Sequence, residues 1–418
     1  MLSELKQREK EGRPINIGLV GLGSMGLGVA YQIGRTAGMR LSFVADHNEA
    51  AAKQGAQIYG KPTHIRRDTI ATLNDPSIPC DVFVEATNSI IAAYDYCMAA
   101  IQRNAHCVLM NAEVDLFLGH LLRDAAKKKN VIVTSDAGDQ HGVLARMIEE
   151  IQMWDFEIVQ AGNMKGFLNR HQTLQGIEPI AKQLKLSTEQ CLAYTDGSKL
   201  NIEMSLIANE YGLTPFVPGM EGPKANKVQD VIDLFDFDKY GQQGRVDYIL
   251  GAKEHGSGVY VVGKCENELQ RHYLNYYKVT NKHPYYIFLR PYHLCHLETP
   301  RAIALAALYG KSVCTMRRGR MTDVYAYAKK DLYPGDKVDH AIGGNEVYGL
   351  IDEATKADIA GHVPLGLLVV EDQPESPIVK SAVKKDQPIT LENVVIPANR
   401  MAELWANQRS HLKLTEQR

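Results

Sequence analysis

The segment INIGLVGLGSMG, residues 15–26, constrains the fold of this 418-residue chain more than any other stretch. Its first half is a short apolar run with β-branched residues, which is typical of a buried parallel strand. Glycines follow at positions 21, 23 and 26, and the apolar spacing of a helix comes directly after them. A strand, a glycine-rich turn and a helix in this order predict the first unit of a doubly wound α/β sheet.

The glycine-rich turn has the residues that a dinucleotide requires. Gly21 permits a tight turn, Gly23 lets the backbone approach a pyrophosphate, and Gly26 lets the helix and strand pack closely. Ser24 and Met25 complete the loop, and the amides at the helix N-terminus suit the phosphate charge. We therefore predict a Rossmann domain over residues 1–151.

An acidic residue follows at the distance that this motif requires. Asp46 ends the next strand, LSFVAD, and lies 20 residues after Gly26. A carboxylate there can accept hydrogen bonds from the adenine ribose, and it repels a 2′-phosphate. The expected cofactor is NAD or NADP, with NAD favoured by Asp46.

Further strands follow in the same rhythm, and polar residues stand where they end. The strand segments are DVFVEATN (81–88), HCVLMN (106–111) and VIVTSDAGD (131–139). Ligands bind beyond the carboxyl ends of parallel strands, although each polar residue alone could be a helix cap. The candidates for cofactor binding are Thr87, Asn88, Asn111 and Glu113, and Asp139 is a candidate for substrate binding.

The pattern changes over residues 152–320, where strand-like runs are separated by glycine and proline. We predict an α+β catalytic domain on an antiparallel sheet. Its candidates for substrate binding are Lys165, Arg290 and His293. The run RPYHLCHLETP also suggests metal ligation, but a strand would put His293 and His296 on opposite faces.

The stretch DGSKLNIEMSLIANEYG (196–212) has the spacing of a helix and carries a lysine in its first turn. With Asp196 as the expected N-cap, the side chains of Asp196, Lys199, Glu203 and Glu210 share one stripe. A cation in the first turn opposes the helix dipole at a cost of about 0.3–1 kcal/mol. The stripe is either a solvated face with a Lys199–Glu203 pair or a catalytic centre. In the second case Lys199 handles a proton, and Asp196 and Glu203 orient it.

Residues 321–418 contain two similar segments, DVYAYAKKDLYPGDKVD (323–339) and VKSAVKKDQPITLENVV (379–395). Each has two lysines and an aspartate before a turn and a short strand. This spacing predicts a small β-rich third domain whose lysine pairs are solvated strand edges.

Composition excludes several classes of protein. Charged residues make up 23% of the chain and the net charge is −2, without a basic cluster that would suit nucleic acid. No stretch approaches the roughly 18 apolar residues of a membrane span, and the polar N-terminus does not resemble a signal peptide. Seven cysteines without a CxxC spacing favour reduced thiols. We expect a cytoplasmic protein with a small-molecule substrate, without a nucleic-acid or membrane partner, and forming a homo-oligomer.

Several of these segments resemble the homoserine dehydrogenases. Those that carry the resemblance are DGSKLNIEMSLIANEYGL, YYIFLRPYHLCHLE and AKKDLYPGDKVD with GGNEVYG, besides the glycine-rich turn. They are most similar to the branch with a C-terminal SAF domain, which includes deoxyxylulose phosphate reductoisomerase-like enzymes. The resemblance runs from about residue 14 to 397.

The resemblance implies site residues and a reaction. Homoserine dehydrogenases use a lysine preceded by an aspartate on this helix to handle the proton, which implies these roles for Lys199 and Asp196. Here the aspartate precedes the lysine by three residues, whereas the dehydrogenases have four. Glu113 lies near the point where they carry a second lysine. In ordinary reductoisomerases the place of SDAGDQHG supplies a metal-binding acid, and metal dependence stays open here.

Three functions follow from these observations. The first is an NAD(P)-dependent oxidoreductase that transfers hydride between nicotinamide and a small polar carbonyl or alcohol, such as a sugar phosphate or polyhydroxy acid. The second is a reductoisomerase, in which a skeletal rearrangement precedes the reduction. The third is a nicotinamide-binding sensor or scaffold without turnover.

Overall fold

The computed structural model describes residues 1–184, 186–252, 257–371 and 374–416. The strands, in chain order, are β1 (Ile15–Val20), β2 (Met39–Ala45), β3 (His64–Arg66), β4 (Val82–Glu85), β5 (His106–Leu109), β6 (Val133–Ser135), β7 (Glu157–Lys165), β8 (Arg245–Leu250), β9 (Val259–Lys264), β10 (Asn281–Lys282), β11 (Tyr285–Arg290), β12 (Thr322–Ala328), β13 (Val347–Glu353), β14 (Ile378–Val379) and β15 (Val394–Val395). The helices are α1 (Leu2–Lys10), α2 (Ser24–Arg35), α3 (Glu49–Tyr59), α4 (Thr69–Asn74), α5 (Ile90–Gln102), α6 (Ala112–Lys128), α7 (Gln140–Met153), α8 (Leu174–Leu184), α9 (Thr188–Thr195), α10 (Ser198–Tyr211), α11 (Val231–Leu234), α12 (Glu268–Tyr276), α13 (Cys295–Tyr309), α14 (Ala354–Ile359) and α15 (Arg400–Glu416).

These elements group into two compact units. The first unit contains Met1–Gly142, Leu294–Thr315 and the residues from Leu404 on, and the second contains Val143–His293 and Met316–Glu403. The boundaries expected at residues 151 and 320 differ from this grouping, because α13 packs its apolar side chains into the core of the first unit. The three-domain division of the sequence stays a prediction.

The first unit is built on a parallel sheet with the strand order β3-β2-β1-β4-β5-β6. The central strand β1 pairs in parallel with both β2 and β4, so that Ile17 lies between Leu41 and Val82. Those side chains are buried together with Val29 and Ile33 of α2. The predicted doubly wound α/β sheet is confirmed.

The second unit contains a separate sheet with the strand order β10-β11-β9-β7-β8. The pair β7–β8 is parallel and the other pairs are antiparallel, so the sheet is mixed rather than wholly antiparallel. Met164, Ile249, Tyr260 and Val262 from three of its strands share a core with Phe237.

Helix α10 packs on the antiparallel pair β12–β13 in the second unit. Within the strand pair, Gly349 of β13 leaves room for Val324 of β12, because a Cβ there would lie 2.5 Å from the Cγ1 of Val324. The hydroxyl oxygens of Ser205 and Thr322 are 2.8 Å apart, and the side-chain oxygen of Asn209 accepts a hydrogen bond from the Thr322 amide at 2.8 Å. The predicted β-rich segments near the C-terminus are therefore present, and one of them holds the lysine-bearing helix.

The segment around His293 and His296 is not a strand. Strand β11 ends at Arg290 and α13 begins at Cys295, so Pro300 lies within the helix. Among the described residues, no three or more His, Cys, Asp or Glu side chains are grouped so that they could hold a metal ion. In the same part of the chain, no helix is both long and apolar enough to cross a membrane.

Candidate functional site

The glycine-rich turn of the first unit has one closely packed side and one open side. Gly21 has a φ of +83°, and a Cβ there would lie 2.4 Å from the carbonyl oxygen of Ala86. A Cβ at Gly26 would lie 1.8 Å from the carbonyl oxygen of Gly21. At Gly23 a Cβ would meet no atom within 4 Å. Gly21 and Gly26 thus close the turn, and Gly23 leaves its outer side accessible to a ligand.

The start of α2 fits a dinucleotide phosphate. The N-cap is Gly23, so no side chain caps the amides of the first turn. Ser24 and Met25 are exposed there. Uncapped amides at a helix N-terminus, together with the helix dipole, are the usual protein ligands of a pyrophosphate. The residues present fit a nicotinamide dinucleotide.

Asp46 is hydrogen-bonded to the glycine-rich turn. Its Oδ2 accepts a hydrogen bond from the Leu22 amide at 2.7 Å, and its Oδ1 accepts one from the Asn48 amide at 2.8 Å. The side chain is buried, whereas that of His47 is exposed. Asp46 therefore fixes the glycine-rich turn, and its contact with the adenine ribose stays a prediction.

The other candidates for cofactor binding lie at the ends of β4 and β5. The backbone amide and hydroxyl of Thr87 donate to Glu85 Oε1. Asn111 caps α6 and donates from Nδ2 to the carbonyl oxygen of Ser89 at 3.2 Å, which joins the two strand ends. Asn88 is exposed, and Glu113 is buried in the first turn of α6. Asn111 thus has the structural role of a cap, whatever its role toward a cofactor.

An acidic cluster follows β6 in the same unit. Burial and the neighbouring Asp139 carboxylate raise the pKa of Asp136 to about 7, and a hydrogen bond from the Gly138 amide opposes this rise. The thiol of Cys295, at the start of α13, donates to Asp139 Oδ1 at 2.9 Å. Cys295 was not among the site residues predicted from the sequence, because it lies far from Asp139 along the chain and no local pattern links the two residues.

The helix that carries Lys199 begins one residue later than expected. The N-cap of α10 is Gly197 with a φ of +87°, and Asp196 is the C-cap residue of α9. The expectation that Asp196 is the N-cap is therefore wrong, because only Gly197 adopts the left-handed conformation easily. Asp196 still serves the helix start, since its Oδ1 accepts a hydrogen bond from the Ser198 amide at 2.8 Å.

Asp196 pairs with a lysine from the C-terminal segment. Its Oδ2 lies 2.7 Å from the Nζ of Lys329, which also donates to the carbonyl oxygen of Gly344 at 2.6 Å. Burial raises the pKa of the Asp196 carboxyl, and the ammonium of Lys329 opposes that rise.

The expectation of solvated lysine pairs is wrong for Lys329, which is 5% exposed. It is confirmed for the exposed Lys330, Lys384 and Lys385. The alternation of β12 gives no signal for the burial of Lys329, because every residue of that strand is buried, on both faces.

The predicted catalytic stripe is largely shielded from solvent. Asp196, Glu203 and Glu210 are 1%, 8% and 3% exposed, and Lys199 is half-buried. The Nζ of Lys199 lies 5.1 Å from the centre of the Tyr194 ring, within the range of a cation–π contact. These three acids are buried, so the interpretation of the stripe as a solvated face is wrong for them.

Two of the candidates for substrate binding, Lys165 and Arg290, lie on the same face and at the same end of the mixed sheet. Val259 of β9 is paired with both Asn163 of β7 and Arg290 of β11, so these side chains point to the same face. Lys165, two residues after Asn163, shares that face. β7 and β11 both run antiparallel to β9, so they run in the same direction. Lys165 and Arg290 are their last residues and therefore lie at the same end of the sheet.

The same end of the sheet is connected to His293 and, through the loop after β7, to the last residue of α9. The Nδ1 of His293 lies 2.5 Å from the carbonyl oxygen of Ser257, which precedes β9. In the loop after β7, the Asn169 amide donates to the carbonyl oxygen of Thr195 at 2.8 Å. The structure thus groups Lys165, Arg290 and His293, while Asp139 lies in the other unit with the candidates for cofactor binding.

Two known families match consecutive parts of the chain. Residues 21–135 match the family described as homoserine dehydrogenase, NAD binding domain, and residues 138–299 match the family described as oxidoreductase DRL, catalytic domain. The first match covers the glycine-rich turn and Asp46, and the second covers Lys165, Lys199 and Arg290. The chain is therefore similar to a dinucleotide-binding domain over its first matched part and to an oxidoreductase catalytic domain over its second.

One curated relative is the homoserine dehydrogenase of Methylobacillus glycogenes. The two sequences are 32% identical over 108 aligned residues, and the match covers 24% of this chain. The match spans about a quarter of that relative's own length, since it covers 25% of it.

Parts of the chain are similar to solved structures. An NAD binding oxidoreductase from Klebsiella pneumoniae is 23% identical, covers 37% of this chain and 43% of its own, and gives a TM-score of 0.31. A dehydrogenase from Chromobacterium violaceum is 16% identical, covers 45% of this chain and 53% of its own, and gives a TM-score of 0.32.

Proposed function

We propose that this oxidoreductase transfers hydride between NAD and a small polar carbonyl or alcohol, such as a sugar phosphate or polyhydroxy acid, with Lys199 as the group that handles the proton. The observation that carries this proposal is the half-buried Lys199 in a helix turn whose neighbours Asp196 and Glu203 are buried. A lysine partly removed from water beside carboxylates has the environment of a general acid–base group.

The bound nicotinamide supplies the hydride chemistry. The chain must supply the proton at the substrate oxygen and the contacts that orient the substrate. Lys199 takes the first role, with Asp196 and Glu203 orienting it. Lys165 and Arg290 take the second role, because both residues lie on the same face and at the same end of the sheet. Their positive charges suit an anionic or polyhydroxyl group of the substrate. His293 is a further contact in this scheme, and Asp139 of the first unit stays a separate candidate for substrate binding.

The remaining assignments belong to the same proposal. The cofactor-binding set is Gly21, Gly23, Ser24, Met25, Gly26, Asp46, Thr87, Asn88, Asn111 and Glu113. NAD is preferred to NADP because a buried carboxylate at Asp46 disfavours a 2′-phosphate. The segment 321–418 is a SAF-like module, and the active form is a homo-oligomer.

A reductoisomerase is the second candidate. Glu113 lies where homoserine dehydrogenases carry a second lysine, and residues 138–299 match the DRL catalytic domain rather than that of a homoserine dehydrogenase. Both observations point away from homoserine as substrate.

The test is a substrate panel read by the absorbance of reduced nicotinamide. It contains L-homoserine with NAD⁺ and NADP⁺, 1-deoxy-D-xylulose 5-phosphate with NADH and NADPH, and sets of ketoses and polyhydroxy acids with both cofactors. We expect turnover of at least one member, and NMR of its product tells reduction from rearrangement. A protein that binds NADH but changes its redox state with no member would instead be a sensor or scaffold.

A further inference from the structure

The carboxylate before α10 depends on a lysine from a distant part of the chain. The side chains of Lys329 and Asp196 are 3% and 0% exposed, and their charged atoms are 2.7 Å apart. The backbone of Lys329 is fixed as well, because its amide donates to the carbonyl oxygen of Glu346 at 2.8 Å. A buried ion pair with both partners anchored holds its geometry strictly, since breaking it leaves an uncompensated charge.

The same carboxylate organises the first turn of α10. Asp196 bonds to the Ser198 amide, and the Ser198 hydroxyl oxygen accepts a hydrogen bond from the Gly349 amide at 2.9 Å. Asn201 Oδ1 accepts a second hydrogen bond from β13, from the Ile351 amide at 2.9 Å. Lys199 lies between these two anchored residues, so its backbone moves only if such contacts break.

From this geometry we infer that Lys329 is a positioning residue of the reaction. Its ammonium holds the Asp196 carboxylate, and through it the first turn of α10, in the arrangement that Lys199 needs to exchange a proton. This inference rests on the proposed function, which gives Lys199 its role. It makes the C-terminal segment part of the catalytic apparatus of the second unit rather than an accessory module.

A purely structural ion pair would behave differently from a positioning pair. Losing either kind of pair removes the charge of Lys329 from beside Asp196 and lowers stability. Only for a positioning pair does the changed titration of Asp196 appear in the pH profile of kcat. Lys329 is the charged group that most strongly opposes the effect of burial on the pKa of Asp196, and Ser198 donates to the same carboxyl. Without Lys329 the pKa of Asp196 rises further, and the carboxylate is protonated at a higher pH.

The chain offers a matched control beside the residue to be tested. Lys329→Met removes the buried charge, Lys329→Arg keeps it, and Lys330→Met removes an adjacent charge whose side chain is 56% exposed. In the full-length protein, the readouts are kcat and KM with the reactive member of the substrate panel, their pH profiles, thermal unfolding, and amide hydrogen exchange over residues 196–203.

We expect Lys329→Met to lower kcat about 10²-fold, the effect of a displacement near 1 Å at a reacting group. The acid limb of its pH profile should move to higher pH, and exchange over residues 196–203 should accelerate about tenfold relative to Lys330→Met. Lys329→Arg should recover most of kcat, and Lys330→Met should match the wild type. A folded Lys329→Met protein with the wild-type kcat, pH profile and exchange would overturn the inference.

Two further variants keep the outcomes distinct. If Lys329→Met does not fold, the double variant Lys329→Met/Asp196→Asn removes both charges and avoids an unpaired buried carboxylate. It should fold with low kcat, and a wild-type kcat would contradict the inference. Lys199→Ala tests the proposed function separately. If that variant keeps full turnover, or if no member of the panel reacts, the proposed function fails, while hydrogen exchange still reports whether Lys329 holds the turn.

Discussion

Replacing two glycines of the same turn by alanine should separate the stability of the turn from its affinity for the cofactor. A Cβ at Gly26 would lie 1.8 Å from the carbonyl oxygen of Gly21, and ordinary contacts begin at 3.4 Å. The turn and the helix must therefore separate by about 1.6 Å. Overpacking of this kind costs about 1–3 kcal/mol, and more where backbone must move. Gly26→Ala should lower the free energy of unfolding by that amount and weaken NADH binding as well.

Gly23→Ala is the matched substitution without a steric conflict. Gly23 has a φ of −72°, which alanine adopts freely, and its Cβ would meet no protein atom within 4 Å. The free energy of unfolding should therefore change by less than about 1 kcal/mol. The added methyl group would nevertheless occupy the side from which the pyrophosphate approaches. We expect the Kd for NADH to rise about 10–100-fold, which corresponds to about 1.4–2.8 kcal/mol.

Fluorescence titration of NADH and thermal unfolding by circular dichroism give both quantities for each variant. Wild-type affinity in Gly23→Ala would show that no phosphate approaches the backbone at this point. Wild-type stability in Gly26→Ala would show that the turn is less tightly packed than its distances imply.

Other substitutions test the remaining assignments. Asp46→Ala should narrow the preference for NAD over NADP in kcat/KM by about tenfold, since it removes a charge that repels the 2′-phosphate; an unchanged ratio in kinetics with both cofactors contradicts this role. Lys199→Ala should lower kcat by about 10²–10⁴-fold with little change in the Kd for NADH, and Lys199→Arg should be nearly as damaging because a guanidinium does not release its proton. Burial raises the pKa of Asp136 to about 7, so the folded protein holds this proton more tightly than the unfolded chain does. The resulting stabilisation is largest at low pH and is lost as the pH rises from about 4 to about 7. Relative to Asp136→Asn, the wild type should therefore lose up to about 1.4 kcal/mol per pH unit in that window, measured by urea unfolding at each pH; parallel curves would refute the shift. Removing residues 321–418 should abolish turnover, because it removes the strands bonded to α10, and should only weaken NADH binding, because the first unit loses α15 but keeps its glycine-rich turn; equal loss of both in a folded fragment would contradict this.

The cofactor-binding turn could be predicted from the sequence because its determinants are local. Gly21, Gly23 and Gly26 lie within six residues. Backbone geometry requires the first and the last of them, and the approach of a pyrophosphate explains the middle one. The parallel sheet was predictable for the same reason, since its strands are short apolar runs with helices between them. The helix of Lys199 was recognisable by its spacing, but its start was not. Asp196 and Gly197 are both common near helix ends, and only the positive φ of Gly197 decides which residue caps α10.

The ion pair of the candidate site could not be predicted in this way. Lys329 and Asp196 are far apart in the sequence, and two adjacent lysines before a turn most often indicate a solvated edge. Only the pairing of β12 with β13, and of both with α10, brings Lys329 to the carboxylate. The grouping of Lys165 with Arg290 has the same origin, because it depends on β7 and β11 both pairing with β9. Contacts set by strand order are absent from local patterns.

The interleaved course of the chain has a consequence for how the protein is made. The chain passes from one unit to the other at residues 142–143, 293–294, 315–316 and 403–404. In the first unit, Gln408 of α15 donates to the carbonyl oxygen of Phe117 at 2.6 Å and accepts from the Leu121 amide at 3.4 Å. Domains usually fold in order of synthesis, N-terminal first. Here the nascent parallel sheet must wait for segments translated after the second unit has begun to emerge, so an early stop of the ribosome leaves both units incomplete.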